Sequence, residues 1–190
     1  VSGGAKGIGQ GICCALAEEG AVPVIVGRKE ADNRAAVENI LQAGGRAYAF
    51  EAELSDPEAC RRVMTEVLGQ FGRLDGLVNN AGAIPGGSLD AVDEARWRAA
   101  WDLKVFGYIN ICRAFHGRMK ARRSGVIVNV IGLAGERFDY GYIAGSTGNA
   151  GLMAFTRALG SWSLDYGVRV LAVNPGAVMT DRIVQLMRTR

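Results

Sequence analysis

Apolar positions in this chain come in two alternating patterns. Short, largely apolar runs of five to seven residues, at 22–26, 46–50, 74–79, 126–130 and 168–174, read as strands. Between them lie longer stretches with apolar residues three and four apart, which read as helices at 31–42, 57–70, 94–120 and 143–164. Asp56-Pro57 gives one helix a capping side chain and a proline in its first turn, and Gly44-Gly45 closes another. Strands alternating with helices predict an α/β fold: a doubly wound, mainly parallel sheet with helices on both faces. With 190 residues, a single domain over 1–190 is expected. The chain opens at Val1 where a first strand would be finishing, so the first strand and a C-terminal segment are expected to be missing from this stretch.

Within the 94–120 helix, Trp97, Trp101, Val105, Tyr108, Cys112 and Phe115 form one apolar stripe, read as packing surface. That stripe suits the core or a contact between copies. Net charge is +3 and dispersed, which gives no footprint for nucleic acid. Neither a membrane-spanning apolar run nor a signal peptide is visible, and the four cysteines have no metal-ligand spacing. A cytoplasmic protein with reduced thiols and no metal is expected.

The chemistry begins in the first nine residues. Gly3, Gly7 and Gly9 form a glycine-rich turn running into a helix, whose free N–H groups and positive dipole end suit a pyrophosphate. At the end of the next strand, where NAD binders carry a carboxylate for the ribose, stand Gly27 and then Arg28. Lys6 adds a second cation at the first turn. Two cations without a carboxylate favour the 2′-phosphate of NADP(H) over NAD(H); the alternative is two solvated surface cations.

Three motifs carry a resemblance: Ser2-Gly-Gly-Ala-Lys-Gly-Ile-Gly9, Asn79-Asn80-Ala81-Gly82, and Asn174-Pro175-Gly176-Ala177-Val178 with Thr180. In this order and spacing the chain resembles the short-chain dehydrogenase/reductase superfamily along essentially its whole length. The resemblance implies a cofactor set of Ser2, Gly3, Lys6, Gly7, Ile8 and Gly9, with Arg28 at the phosphate. It places Asn80, Ala81 and Gly82 beside the adenine ribose and Glu53-Leu54 at the adenine. Pro175, Gly176, Val178 and Thr180 would flank the nicotinamide. It further implies a small-molecule alcohol or carbonyl substrate and a homodimer or homotetramer built through the two long helices.

The family's catalytic Asn, Ser, Tyr and Lys fall on Lys104, Gly132, Gly145 and Asn149. All four differ. Glycine can neither donate a proton nor orient a carbonyl, and Asn149 retains a ribose contact but no charge. Tyr142, one helical step before Gly145, is the candidate for a relocated acid/base, with Lys104 as a cation beside it. The competing readings are a half-buried loop tyrosine and a lysine whose head lies in water. His116 is expected at the surface. Two functions therefore stand: an NADP(H)-dependent oxidoreductase with a relocated or degenerate acid/base site, or a catalytically inactive NADP(H)-binding sensor or partner subunit.

Overall fold

The computed structural model describes residues 1–188, and the side chains of 1–184. In chain order the regular elements are α1 (Gly7–Glu18), β1 (Val24–Gly27), α2 (Glu30–Gln42), β2 (Tyr48–Glu51), α3 (Pro57–Phe71) and β3 (Gly76–Asn79). They continue with α4 (Glu94–Trp101), α5 (Gly107–Arg122), β4 (Gly125–Val130), α6 (Ile143–Ser163), β5 (Val168–Val173) and α7 (Asp181–Arg188).

All strand pairs are parallel: β1 with β2, β3 with β4, and β4 with β5. Residues 1–3 join the two groups. Val26 N donates to Val1 O (3.0 Å), Gly3 N to Val26 O (2.7 Å) and Ser2 N to Val78 O (2.9 Å). The spatial order is therefore β2, β1, residues 1–3, β3, β4, β5. From residues 1–3 the chain winds outward through β1 and β2, then returns to β3 on the opposite side. Such a reversal opens a crevice at the carboxyl ends of the strands.

The main core lies between the sheet and α3 and α5, around Leu54, Val63, Val67, Leu77, Ile111, Phe115, Met119 and Ile127. Burying each of these larger side chains contributes roughly 1.5–3 kcal/mol. Beneath the crevice runs a buried polar chain: Asn79 Nδ2 donates to Asn129 Oδ1 (2.8 Å), and Asn129 Nδ2 to Thr156 Oγ1 (2.9 Å). It ties β3, β4 and α6 together just below the strand ends.

The strands follow the sequence pattern with small shifts at their ends, but two helical features do not. The stretch read as one helix is interrupted by a π-helical turn at Asp102–Phe106, between α4 and α5. One inserted residue per π-turn rotates the next helical segment about the axis, a local irregularity that periodicity averages away. Its effect on the stripe is direct: Tyr108, Cys112 and Phe115 are buried in the core, whereas Trp97 and Trp101 pack on a separate cluster with Ile84, Ala100 and Ala144. The second feature is α7, which the apolar pattern did not suggest.

Candidate active site

The glycine turn takes its shape from close packing. Gly3 and Gly7 have positive φ (62° and 54°), a region that side chains disfavour. A Cβ on Gly9 would lie 2.5 Å from Asn80 Nδ2 and nearer still to Gly3 O, so glycine alone lets α1 approach the turn. α1 has no side-chain cap, which leaves its first-turn N–H groups facing outward beside exposed Gly7. Thr180 closes the far wall, 3.4 Å from where a Cβ on Gly7 would stand.

Ser2 fastens this turn to the second motif. Its hydroxyl, in a residue 2% exposed, accepts from Asn80 N (2.9 Å) and Ala81 N (3.0 Å). Asn80 Nδ2 returns to Ser2 O and Gly3 O, both at 3.2 Å. Ser2, Gly3, Gly7, Ile8, Gly9, Asn80 and Ala81 thus form one rim of the crevice. An uncapped helix start beside glycines that leave room for an anion fits a dinucleotide pyrophosphate.

At the adenosine end the expected pair of free cations is corrected. Lys6 Nζ is paired with Asp32 Oδ2 at 2.9 Å, and Arg28 Nη1 with Glu53 Oε2 at 3.4 Å. Both carboxylates come from outside the strand end: Asp32 from the first turn of α2, Glu53 from just beyond β2. Glu53 Oε1 also accepts from Ser55 N (3.2 Å), which holds its carboxylate at the rim. These pairs are exposed enough that each contributes only about 0–1 kcal/mol, so a bound phosphate can exchange with them. The Leu54 side chain is buried in the core and its carbonyl accepts from Asn110 Nδ2 (3.3 Å), so its side chain does not line the rim.

At the opposite end, Pro175 O accepts from Leu133 N (3.0 Å), which ties the stretch after β5 to the turn after β4. Gly176 and Val178 are exposed along the cleft wall. Thr180 Oγ1 accepts from Ile183 N (3.3 Å) and so caps α7. Arg182 on α7 then reaches across to Ile84 O at 2.6 Å.

Lys104, Gly132 and Asn149 meet at the turn after β4, and Tyr142 meets Gly145 at the start of α6. Lys104 lies in the π-turn, with its stem against Gly82: a Cβ there, at φ 149°, would meet Lys104 Cδ at 2.6 Å. Lys104 Nζ donates to Ile131 O (2.9 Å) and Val130 O (3.3 Å), and lies 5.4 Å from the centre of the Tyr108 ring. Its head is therefore bound within the protein, not in water. Burial, and secondarily the nearby Arg182 charge, lower its pKa to about 8. Tyr108 hydroxyl donates to Val130 O (2.7 Å), and burial pushes its own pKa well up, so it stays neutral.

Tyr142 is the N-cap residue of α6, half-buried, with its backbone fixed by a bridge to Gly87. Its ring lies in the space a side chain at Gly145 would need: a Cβ there would be 2.6 Å from Tyr142 Cδ1 and closer to Cε1 and Cζ. Asn149 is 3% exposed; its Nδ2 reaches Gly132 O at 3.5 Å, and its buried Oδ1 has no partner among the described residues. Lys104 and Asn149 thus flank the turn after β4, with the cation on the α4–α5 side. His116 is half-buried with Nε2 enclosed, not a surface group, and burial lowers its pKa. Trp101, which donates to Ala144 O (3.0 Å) and pins α6 at its start, gave no signal in the sequence beyond its place in the apolar stripe.

A doubly wound sheet with this glycine turn and crevice defines a dinucleotide-binding domain of the Rossmann type. The short chain dehydrogenase family model matches residues 1–190, and the chain belongs to that family. It is 34% identical over 187 residues to 3-oxoacyl-(acyl-carrier-protein) reductase FabG of Staphylococcus aureus, covering 95% of this chain and 74% of that protein. To the corresponding reductase of Synechocystis it is 32% identical over 183 residues, covering 95% and 74%. Among solved structures, a single-substitution variant of actinorhodin polyketide ketoreductase with NADPH superposes with a TM-score of 0.95 at 27% identity, covering 99% of this chain and 73% of that one. A metagenomic short-chain oxidoreductase in complex with NADP gives a TM-score of 0.88 at 32% identity, covering 100% and 89%. No helix among the described residues is long and apolar enough to cross a membrane.

Proposed function

We propose that this protein is an NADP(H)-dependent oxidoreductase of an alcohol or carbonyl compound, in which Tyr142 carries the acid/base role and Lys104 supplies the cation. The observation that carries this reading is the placement of the Tyr142 ring in the volume vacated at Gly145. A phenol delivered from one helical step away is a shifted proton donor, not an absent one. The NADP(H) assignment is supported by Lys6 and Arg28 at the adenosine end and by the NADPH and NADP bound in the similar structures.

When bound, the nicotinamide supplies or accepts the hydride. The chain's own residues do the rest. The α1 N-terminus with Gly7, Ile8 and Gly9 holds the pyrophosphate, and Lys6 and Arg28 meet the 2′-phosphate by exchanging their carboxylate partners. Asn80, Ala81, Gly82 and Glu53 line the adenosine; Asn149, Pro175, Gly176, Val178 and Thr180 border the nicotinamide end. Tyr142 Oη gives its proton to the carbonyl oxygen during reduction, and takes it back in the reverse direction. The Lys104 ammonium steadies developing negative charge on the substrate oxygen. General acid/base help of this kind is worth about 10²–10⁴ in rate.

The related reductases direct the first assay to NADPH oxidation with 3-oxoacyl thioesters, followed by simple ketones. Turnover is expected with NADPH, and Tyr142→Phe is expected to lower kcat by roughly 10²-fold or more with NADPH affinity retained. Undiminished turnover in that variant sinks the assignment of Tyr142. Tight NADPH binding with no turnover on any carbonyl would leave a nucleotide-binding subunit without chemistry. We assign contact between copies, in a homodimer or homotetramer, to the two long helical stretches at 94–120 and 143–164.

A further inference from the structure

We infer that Asn33 is a positioning residue for cofactor choice: it fills the side-chain space at the end of β1 and thereby keeps that strand end free of a carboxylate that would face the adenosine ribose. This rests on the NADP(H) reading above and names the element that enforces it. Gly27 ends β1 about 20 residues beyond the glycine turn, where an acidic side chain selects the free ribose of NAD. The three atoms nearest to a Cβ built on Gly27 all belong to Asn33: Oδ1 at 2.5 Å, Cγ at 3.4 Å and Nδ2 at 3.6 Å. Nothing else crowds that position as closely.

Nor can the Asn33 side chain swing aside. It is 3% exposed, and its Nδ2 donates to Gly27 O (3.0 Å) and Phe50 O (3.4 Å), one carbonyl from each of the paired strands β1 and β2. Two carbonyl acceptors fix which end of the amide is nitrogen. The oxygen is therefore the atom turned to the side-chain position of Gly27, and it is buried without a partner among the described residues. A buried acceptor left unpaired costs about 1–3 kcal/mol, so the arrangement is not a packing optimum. What it achieves is a strand end carrying a neutral amide oxygen in place of a negative side chain. Lys6 and Arg28 then face the phosphate without a carboxylate rooted on β1 between them.

The test measures NADPH and NADH dissociation constants by nucleotide fluorescence for the wild type, Asn33→Ala, Gly27→Asp and the double variant, with melting temperatures alongside. The wild type is expected to prefer NADPH. Gly27→Asp alone should lower the melting temperature and weaken both nucleotides, because Asn33 leaves its side chain no room. The double variant should accept the carboxylate and shift the NADPH-to-NADH preference by at least roughly tenfold towards NADH. Unchanged preference in a folded double variant overturns the proposal, as does Gly27→Asp behaving like the wild type. Should the double variant fail to fold, Gly27→Ala decides. Its loss in melting temperature must be larger beside Asn33 than beside Ala at that position, and equal losses overturn the inference. A wild type that binds neither nucleotide would instead refute the cofactor reading itself, a distinct result.

Discussion

The ring of Tyr142 occupies the side-chain volume of Gly145, so a Cβ on Gly145 and the present Tyr142 rotamer exclude one another. Glycine inside a helix ordinarily costs about 0.5–1 kcal/mol relative to alanine, so Gly145→Ala would normally stabilise α6. Here the sign should reverse. Overpacking against the ring should destabilise by about 1–3 kcal/mol in denaturant unfolding, and the penalty should vanish in a Tyr142→Ala background. Additive effects of the two substitutions would show that ring and glycine do not share that volume.

Lys104 should make stability and activity respond to alkaline pH in opposite directions. Its folded-state pKa is lowered from 10.5 to about 8 by burial and by Arg182. Below pH 8 both states hold the proton and the folded protein bears the full cost of burying the charge. Between about pH 8 and 10.5 the unfolded chain binds more protons, so stability rises with pH relative to Lys104→Met. Over the same interval the ammonium is lost from the folded site and turnover should fall with a limb near pH 8, which Lys104→Arg should move upward. Parallel stability curves for wild type and Lys104→Met would contradict the burial of the charge.

Ser2 offers a test of the cofactor rim. Its hydroxyl is the acceptor for both Asn80 N and Ala81 N in a nearly solvent-free position. Ser2→Ala strands two donors and should lower stability by about 2–6 kcal/mol, at about 1–3 kcal/mol each. NADPH affinity should fall with it, since the turn and the Asn80 segment lose their common anchor. Calorimetry with and without nucleotide separates the two effects.

Much of this molecule is legible in one dimension because its causes are local. Alternation of apolar runs and helical periodicity marked the five strands and the long helices. The spacing of Gly3, Gly7 and Gly9 specified a turn that only glycine can make, and with it the crevice. That Lys104, Gly132, Gly145 and Asn149 stand where the resemblance would put Asn, Ser, Tyr and Lys is likewise an expectation read from the sequence alone. The π-turn at Asp102–Phe106 was not legible, because one extra residue in a helix leaves no mark on a pattern of threes and fours.

Tertiary structure decided what those residues meet. The sequence has no means of stating that the Tyr142 ring lies over Gly145, that Asp32 and Glu53 reach back to Lys6 and Arg28, or that the Asn33 oxygen crowds Gly27. Each is a contact between elements whose separation along the chain has no bearing on their distance in space. The sequence determined by itself that a dinucleotide fold is present. Packing alone determined which side chains fill the space beside each glycine, because a volume with no side chain of its own is filled by whatever neighbour the fold brings within reach.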